Sequence, residues 1–243
     1  MIRLNIGCNP SPRDNMSEPF DSTTYARQVR RVFRSLVCSG GNAADISGRM
    51  HLLTVAAERD LLRFGVPSEM TRVACGPGCG ACCVLNVSVL IPEAITIFWY
   101  LQKVFGEEQL EKIRARLHEL RIKTRWLDDE ERLFLREPCA FLDQKGLCVI
   151  HKVRPLLCRA ITSTNSSSCR EAIAMAPLNG QPSIEMNLFQ KNLFEAVYQG
   201  LKEALEDAGL DHRPRRLTSV VLALLVEPAI VGAFAAGEQV QVH

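Results

Sequence analysis

The stretch Cys75-Gly-Pro-Gly-Cys79-Gly-Ala-Cys82-Cys83 places four thiols within nine residues. Only glycine, proline and alanine separate these cysteines. Because glycine tolerates positive φ angles and proline fixes a bend, such a segment can fold back and direct several sulfur atoms at one point. We therefore expect the rest of the chain to be organised around this loop.

Four more cysteines follow at longer spacings, so eight of the ten cysteines lie between residues 75 and 169. A turn signal at residues 143–146 predicts a small hairpin-like knuckle that returns Cys139 and Cys148 to the same side. Pro155 fits the first turn of a short helix, and the following turn of that helix carries Cys158. These spacings predict a second cysteine loop that converges with the first.

Thiolates are soft ligands that favour zinc, iron–sulfur clusters or copper(I) over magnesium or calcium. Zinc and a cubane iron–sulfur cluster each take four thiolates, so eight cysteines are enough for one or two sites. We expect an iron–sulfur cluster, of the 4Fe-4S type, ahead of zinc, because consecutive and distant cysteines together suit a cluster at least as well as two closed tetrahedra. The candidate metal ligands are Cys75, Cys79, Cys82, Cys83, Cys139, Cys148, Cys158 and Cys169.

Buried structural thiols and disulfides are the alternatives to a metal site. The first 20 residues contain no apolar segment of signal-peptide length, so we expect a cytoplasmic protein whose thiols stay reduced. Disulfides are disfavoured for that reason. Eight thiols around Gly/Pro-rich loops also exceed what ordinary core packing requires.

The composition limits the other functional classes. A chain of 243 residues with 47% hydrophobic residues can bury a core. Its net charge of +2 does not predict non-specific nucleic-acid binding. The apolar run 217–236 contains Pro228, so we expect two buried helical pieces there and no membrane span.

Hydrophobic periodicity predicts helices over residues 25–37, 45–64, 93–105, 107–136, 186–208 and 215–226. The one good strand candidate is Val84–Ile91. We expect a mainly α fold, with a helical domain around irregular cysteine-rich metal-binding loops and at most a short β-hairpin. Residues 1–20 are expected to be a disordered leader, and residues 21–243 a single domain with its metal-binding region at 72–170.

Several basic residues and two histidines are further candidates. Lys152, Arg154 and Arg159 could offset the negative charge of a thiolate site. His51 and His151 could each supply a nitrogen ligand. A stripe of arginines at helical spacing, or the basic run at residues 213–216, could meet an acidic partner or phosphates, although a solvated helix face is the simpler interpretation. The stripe consists of Arg27, Arg30, Arg31 and Arg34.

The order of the motifs resembles a known family. Cys75 and Cys79-Gly-Ala-Cys82-Cys83 are followed by Pro-Cys139-x-Phe-Leu-Asp and then by Cys148-x-Ile-His-x-x-Arg-Pro-x-x-Cys158-Arg. Over residues 72–170 this pattern is similar to the YkgJ-type CxxCxxCC cysteine-cluster proteins, bacterial proteins described as zinc- or iron-chelating. The resemblance implies little about activity. It implies chelation by Cys75, Cys79, Cys82, Cys83, Cys139, Cys148 and Cys158.

Two other functions stay open. Flagellin lysine N-methylases carry a similar kind of cysteine cluster, which implies an iron–sulfur-dependent protein-modifying enzyme, but the sequence contains no recognisable methyl-donor pocket or catalytic arrangement. The other alternative is a zinc-stabilised module that binds RNA or a protein through its basic residues. The sequence does not decide whether the chain is an enzyme, and it does not predict the oligomeric state.

Overall fold

The computed structural model describes residues 20–37, 41–175 and 184–241, and this part of the chain is mainly helical. The predicted mainly α class is therefore confirmed. Two short strands, β1 (Ser88–Val89) and β2 (Arg215–Arg216), pair antiparallel. The helices are α1 (Ser22–Val37), α2 (Ala43–Phe64), α3 (Pro67–Met70), α4 (Ile91–Val104), α5 (Glu107–Thr124), α6 (Asp129–Leu135), α7 (Leu156–Ala160), α8 (Ser166–Met175), α9 (Leu188–Asp207), α10 (Leu217–Val226) and α11 (Ile230–Ala235).

The buried apolar side chains of these helices form one continuous cluster. Helix α1 packs against α9, α2 against α4, and α10 against both α4 and α5, while α7 packs against α9. The close approach of α1 and α9 depends on Gly200, because a Cβ atom there would lie 2.4 Å from the carbonyl oxygen of Ala26. The cysteine loops thus sit on a helical frame that has its own core.

Two predicted elements differ from the structure. The predicted strand Val84–Ile91 is largely wrong, because a 3-10 turn covers Ala81–Val84, only two residues pair with β2, and α4 already begins at Ile91. The predicted long helix over 107–136 is two helices. Asp128 caps α6: its carboxylate accepts the amide of Glu131 at 2.8 Å, and the Glu131 carboxylate accepts the amide of Asp128 at 2.9 Å. This reciprocal capping box starts a new helix.

The apolar run 217–236 divides into α10 and α11 at Pro228, as predicted. No helix among the described residues has the length and apolar character that a membrane crossing requires. The sequence did not predict α8, where a serine-rich segment forms a helix. Residues 1–19 of the predicted leader lie outside the described residues.

Most of the predicted basic surface takes part in internal contacts. Arg30 makes two hydrogen bonds to Asp207, at 2.6 and 2.7 Å, and so joins α1 to α9. Arg213 and Arg215 both donate to the buried Asp211. Arg216 donates to the carbonyl oxygens of Thr124, the last residue of α5, and of Leu127. The basic run at 213–216 therefore stabilises the fold.

Candidate metal site

The first cysteine loop is a series of tight turns. The amide of Cys79 donates to the carbonyl of Gly76 at 3.0 Å, and Gly78 between them has a φ of +82°. The 3-10 turn Ala81–Val84 follows and carries Cys82 and Cys83. Because only glycine adopts such a φ without strain, the Gly/Pro spacing is what allows the loop to turn back.

The second cysteine loop contains the predicted turn. The carboxylate of Asp143 accepts the amides of Lys145 and Leu147, both at 2.8 Å, and an isolated bridge pairs Leu142 with Cys148. This Asx-type turn returns Cys148 beside the segment that carries Cys139. The amide of Cys139 donates to the carbonyl of Cys83 at 2.7 Å, which joins the two loops directly.

Cys158 lies on α7, which is held at both ends. Pro155 directly precedes this helix, close to the predicted position. The buried carboxylate of Glu93 accepts the amide of Leu156 at 2.8 Å, and its other oxygen accepts the amide of Leu90 at 2.9 Å. At the other end, the side chain of Gln190 donates to the carbonyl of Arg159 at 2.8 Å. Sequence reasoning missed Glu93 and Gln190, because no local pattern relates them to α7.

The eight cysteines divide into two groups. In the five-thiol group, the members act electrostatically on one another's pKa values. The charge of Cys82 acts on each of the other four. In the three-thiol group, the charges of Cys79 and Cys169 act on the pKa of Cys75, and that of Cys82 does so too, which connects the two groups. All eight are free thiols. The five-thiol group is Cys82, Cys83, Cys139, Cys148 and Cys158, and the three-thiol group is Cys75, Cys79 and Cys169.

The comparison with known families adds an independent observation. Residues 74–177 match a family model described as "CxxCxxCC: Putative zinc- or iron-chelating domain". Residues 74–177, less than half of the chain, are similar to this family's domain. All eight candidate cysteines fall within the matched residues, and the predicted resemblance to CxxCxxCC proteins is confirmed. No curated protein and no solved structure matches the chain.

Within the matched residues, burial and hydrogen bonding change the thiol pKa values. Burial raises the pKa of Cys139 to about 11, and it also raises the pKa of Cys158 and Cys148. A hydrogen bond between neighbouring thiols raises the pKa of Cys83 and lowers that of Cys82. Most of the five thiols are therefore protonated at neutral pH without a metal, and a metal would displace those protons.

Two arginines lower thiol pKa values in the five-thiol group. The positive charge of Arg154 acts on Cys82 and Cys148, and that of Arg132 acts on Cys139. Arg159 instead binds Glu58 and the carbonyl oxygen of Lys152. Of the basic residues predicted to compensate a thiolate site, Arg154 is the one that acts on two of its thiols. Arg132 was missed, because it lies seven residues before the nearest cysteine, in the predicted helix 107–136 and outside every cysteine motif.

The three-thiol group lies where the first loop meets the segment before α8. The sulfur of Cys75 accepts the amide of Ser163 at 3.3 Å, and the amide of Ala74 donates to the carbonyl of Ser163 at 2.8 Å. Cys169 lies on α8, which packs against the 3-10 turn of the first loop. Cys75 is exposed, whereas the other seven cysteines are half-buried.

The thiols are donors of the kind that soft metals prefer, but their positions do not form a closed metal site. In residues 20–37, 41–175 and 184–241, no three His, Cys, Asp or Glu side chains form a group that could hold a metal ion. Thiolates are nevertheless the donors that zinc and iron–sulfur clusters take. Both candidate histidines are exposed, and the charged groups that act on His151 are Arg154, Arg159 and Glu58.

Proposed function

We propose that this protein binds an iron–sulfur cluster or zinc through its five-thiol group. The observation that carries the proposal is the convergence of thiols from three segments: the first loop, the second loop and α7. The hydrogen bond from Cys139 to Cys83 and the effects of Cys139 and Cys148 on Cys158 support this convergence. The match to a zinc- or iron-chelating domain supports it independently.

Within this proposal a 4Fe-4S cluster is favoured over zinc. Four thiolates at 2.3 Å from one zinc ion lie about 3.8 Å from each other. A cubane binds one thiolate per iron and therefore holds its thiolates farther apart. Because the first loop supplies consecutive cysteines, and the second loop and α7 supply distant ones, the five thiols suit a cluster at least as well as a single zinc ion.

The charges around the five-thiol group support an anionic centre. Four thiolates leave a net negative charge on either zinc or a cubane in its ordinary oxidised state. Arg154 and Arg132 are the cations that act on three of these thiols. Four of the five thiols are sufficient for either cofactor, so one of the five is not needed as a ligand.

The three-thiol group has three donors of its own, and a fourth thiol, Cys82, acts electrostatically on both groups. We propose one metal centre at the five-thiol group, with the three-thiol group outside it. The sulfur of Cys75 already accepts a backbone amide, which provides a partner other than a metal.

Metal and acid-labile sulfide analysis, together with a visible spectrum, tests the proposal on protein purified without oxygen or added metal. Iron and sulfide in near-equal amounts with a brown colour would support the cluster. Colourless protein with one zinc per chain would reject the cluster and retain the metal site. Protein free of both metals, and unable to take up either one under reducing conditions, would reject the proposed function.

A further inference from the structure

A pocket of about 150 Å³ lies between α2, α4 and the segment that leads into α7. One ordered water needs roughly 15 Å³ of such space, so the pocket has room for a small molecule. Ser47 and His51 contribute to its α2 wall, and Lys152 and Arg154 to the facing wall. The pocket is separate from the thiols themselves, since no cysteine lines it.

Two cations on the facing wall lack an anionic partner. Neither Lys152 nor Arg154 forms an ion pair with a carboxylate in the part of the chain that the structure describes. Arg159 differs, because its guanidinium pairs with Glu58 and donates to two backbone carbonyls. Because no described carboxylate pairs with Lys152 or Arg154, these two cations favour an anionic acceptor from outside the chain.

The acidic residue that lines the pocket does not supply that acceptor. Both carboxylate oxygens of Glu93 accept backbone amides, one from Leu90 and one from Leu156. These two hydrogen bonds hold the carboxylate toward the start of α4 and of α7. Glu93 therefore does not pair with Lys152 or Arg154, and a ligand in the pocket would share Arg154 with the five-thiol group.

The lining also includes apolar side chains beside Thr54 and Thr96, whose hydroxyls donate to carbonyls of their own helices. Met50, Val153 and Leu156 contribute hydrocarbon surface, and Pro155 extends it. A bare inorganic anion would leave this surface unused, whereas an organic anion would bury its hydrocarbon part against it. The planar fork of an arginine also matches a carboxylate geometrically.

We propose that this pocket binds a small organic carboxylate, held by Lys152 and Arg154, with a short apolar chain packed against Met50 and Leu156. Arg154 faces both the pocket and the five-thiol group, because its charge also acts on Cys82 and Cys148. A bound carboxylate would therefore lie next to the proposed metal centre. The ligand site itself does not depend on which metal is bound.

Calorimetric titration of the full-length, metal-containing protein with isovalerate, at fixed ionic strength in chloride, tests the proposal. Isovalerate supplies a carboxylate and a short branched chain. We expect saturable binding of isovalerate and none of isovaleramide, which has the same shape without the charge. Equal binding of the amide, no binding of isovalerate, or binding of inorganic phosphate as tight as that of isovalerate would each overturn the proposal.

Matched variants locate the site. Lys152→Met is expected to weaken isovalerate binding by about tenfold or more, as loss of one charged contact does, whereas Lys145→Met, at an exposed turn, is expected to leave it unchanged. Ser47→Phe places a ring in the pocket from the opposite wall and is expected to abolish binding, which keeps the test decisive if Lys152→Met does not fold.

Metal content measured on the same samples separates this inference from the metal proposal. Loss of isovalerate binding in Ser47→Phe with full metal content supports a distinct ligand site. Wild-type affinity in both Lys152→Met and Ser47→Phe overturns that site, whatever metal is found.

Discussion

The helical frame and the cysteine region of this protein are stabilised by different means. In the frame, long helices bury side chains such as Val29, Ile95 and Leu201 completely. In the cysteine region, 3-10 turns, an Asx turn and the five-residue α7 hold half-buried thiols with single hydrogen bonds. Because apolar burial dominates folding free energy, we expect the frame to fold without metal and the cysteine region to gain order when its thiols bind one.

Removal of one thiol is expected to have the largest effect, which is on metal content. Cys158→Ser is expected to remove nearly all bound metal, since it deletes a ligand of the proposed centre, while Cys169→Ser retains it. Metal analysis and circular dichroism of both variants measure the effect. The helix content of Cys158→Ser is expected to stay close to that of the wild type, because α7 contributes five residues. Equal metal content in the two variants would contradict the division into two thiol groups.

A cavity in the helical frame is expected to lower stability and to leave the bound metal in place. Phe194 on α9 is 1% exposed, so Phe194→Ala is expected to lower the free energy of unfolding by about 3–5 kcal/mol. Leu188→Ala, at a 64% exposed position of the same helix, is the control and should change it by less than about 0.5 kcal/mol. Urea unfolding measures both. Metal content per folded molecule should be unchanged in Phe194→Ala, and a large loss there would mean that the frame and the site are not separable.

Glu93 connects the frame to the cysteine region and is expected to make stability depend on pH. Burial raises its pKa from an ordinary 4.5 to about 7, so the folded state binds the proton more tightly than the unfolded state. Its contribution to stability is complete below about pH 4.5 and is lost as the pH rises to about 7, a change of about 3 kcal/mol.

Unfolding of the metal-free protein across this pH range is the measurement. Glu93→Gln should lack this part of the pH dependence, whatever its absolute stability, and the exposed Glu108→Gln should keep it. A pH profile of Glu93→Gln that is identical to the wild-type profile would show that the Glu93 carboxyl titrates normally.

The smallest expected effect concerns the break between α5 and α6. Asp128→Ala removes the cap of α6, and helix caps contribute about 1 kcal/mol. Helix α6 also carries Arg132, which donates to the carbonyl of Glu137 at 2.6 Å and acts on Cys139. We therefore expect a modest loss of stability and a small decrease in metal affinity, measured by chelator competition. An unchanged affinity would mean that the position of Arg132 does not depend on the cap.

Local sequence patterns predicted the structure correctly where the interaction that determines it is between neighbouring residues. The Asx turn of Asp143 and the break at Pro228 were predicted, because each depends on a few neighbouring residues. The capping box at Asp128 is also a local signal, but the apolar spacing that continues through it led to the prediction of one long helix. The strand prediction over Val84–Ile91 followed apolar, β-branched composition, and such composition does not decide between a strand and the start of a buried helix.

By itself, the sequence determined the helical class, the turn chemistry and the presence of eight clustered thiols. Only the tertiary structure divided those thiols into groups of five and three, since the division depends on contacts between segments far apart in the chain. It likewise brought Glu93 to α7 across 63 residues and left Lys152 and Arg154 without carboxylate partners. The physical reason is that periodicity and turn propensity act over a few residues, whereas charge pairing and burial depend on which surfaces the packed helices bring together.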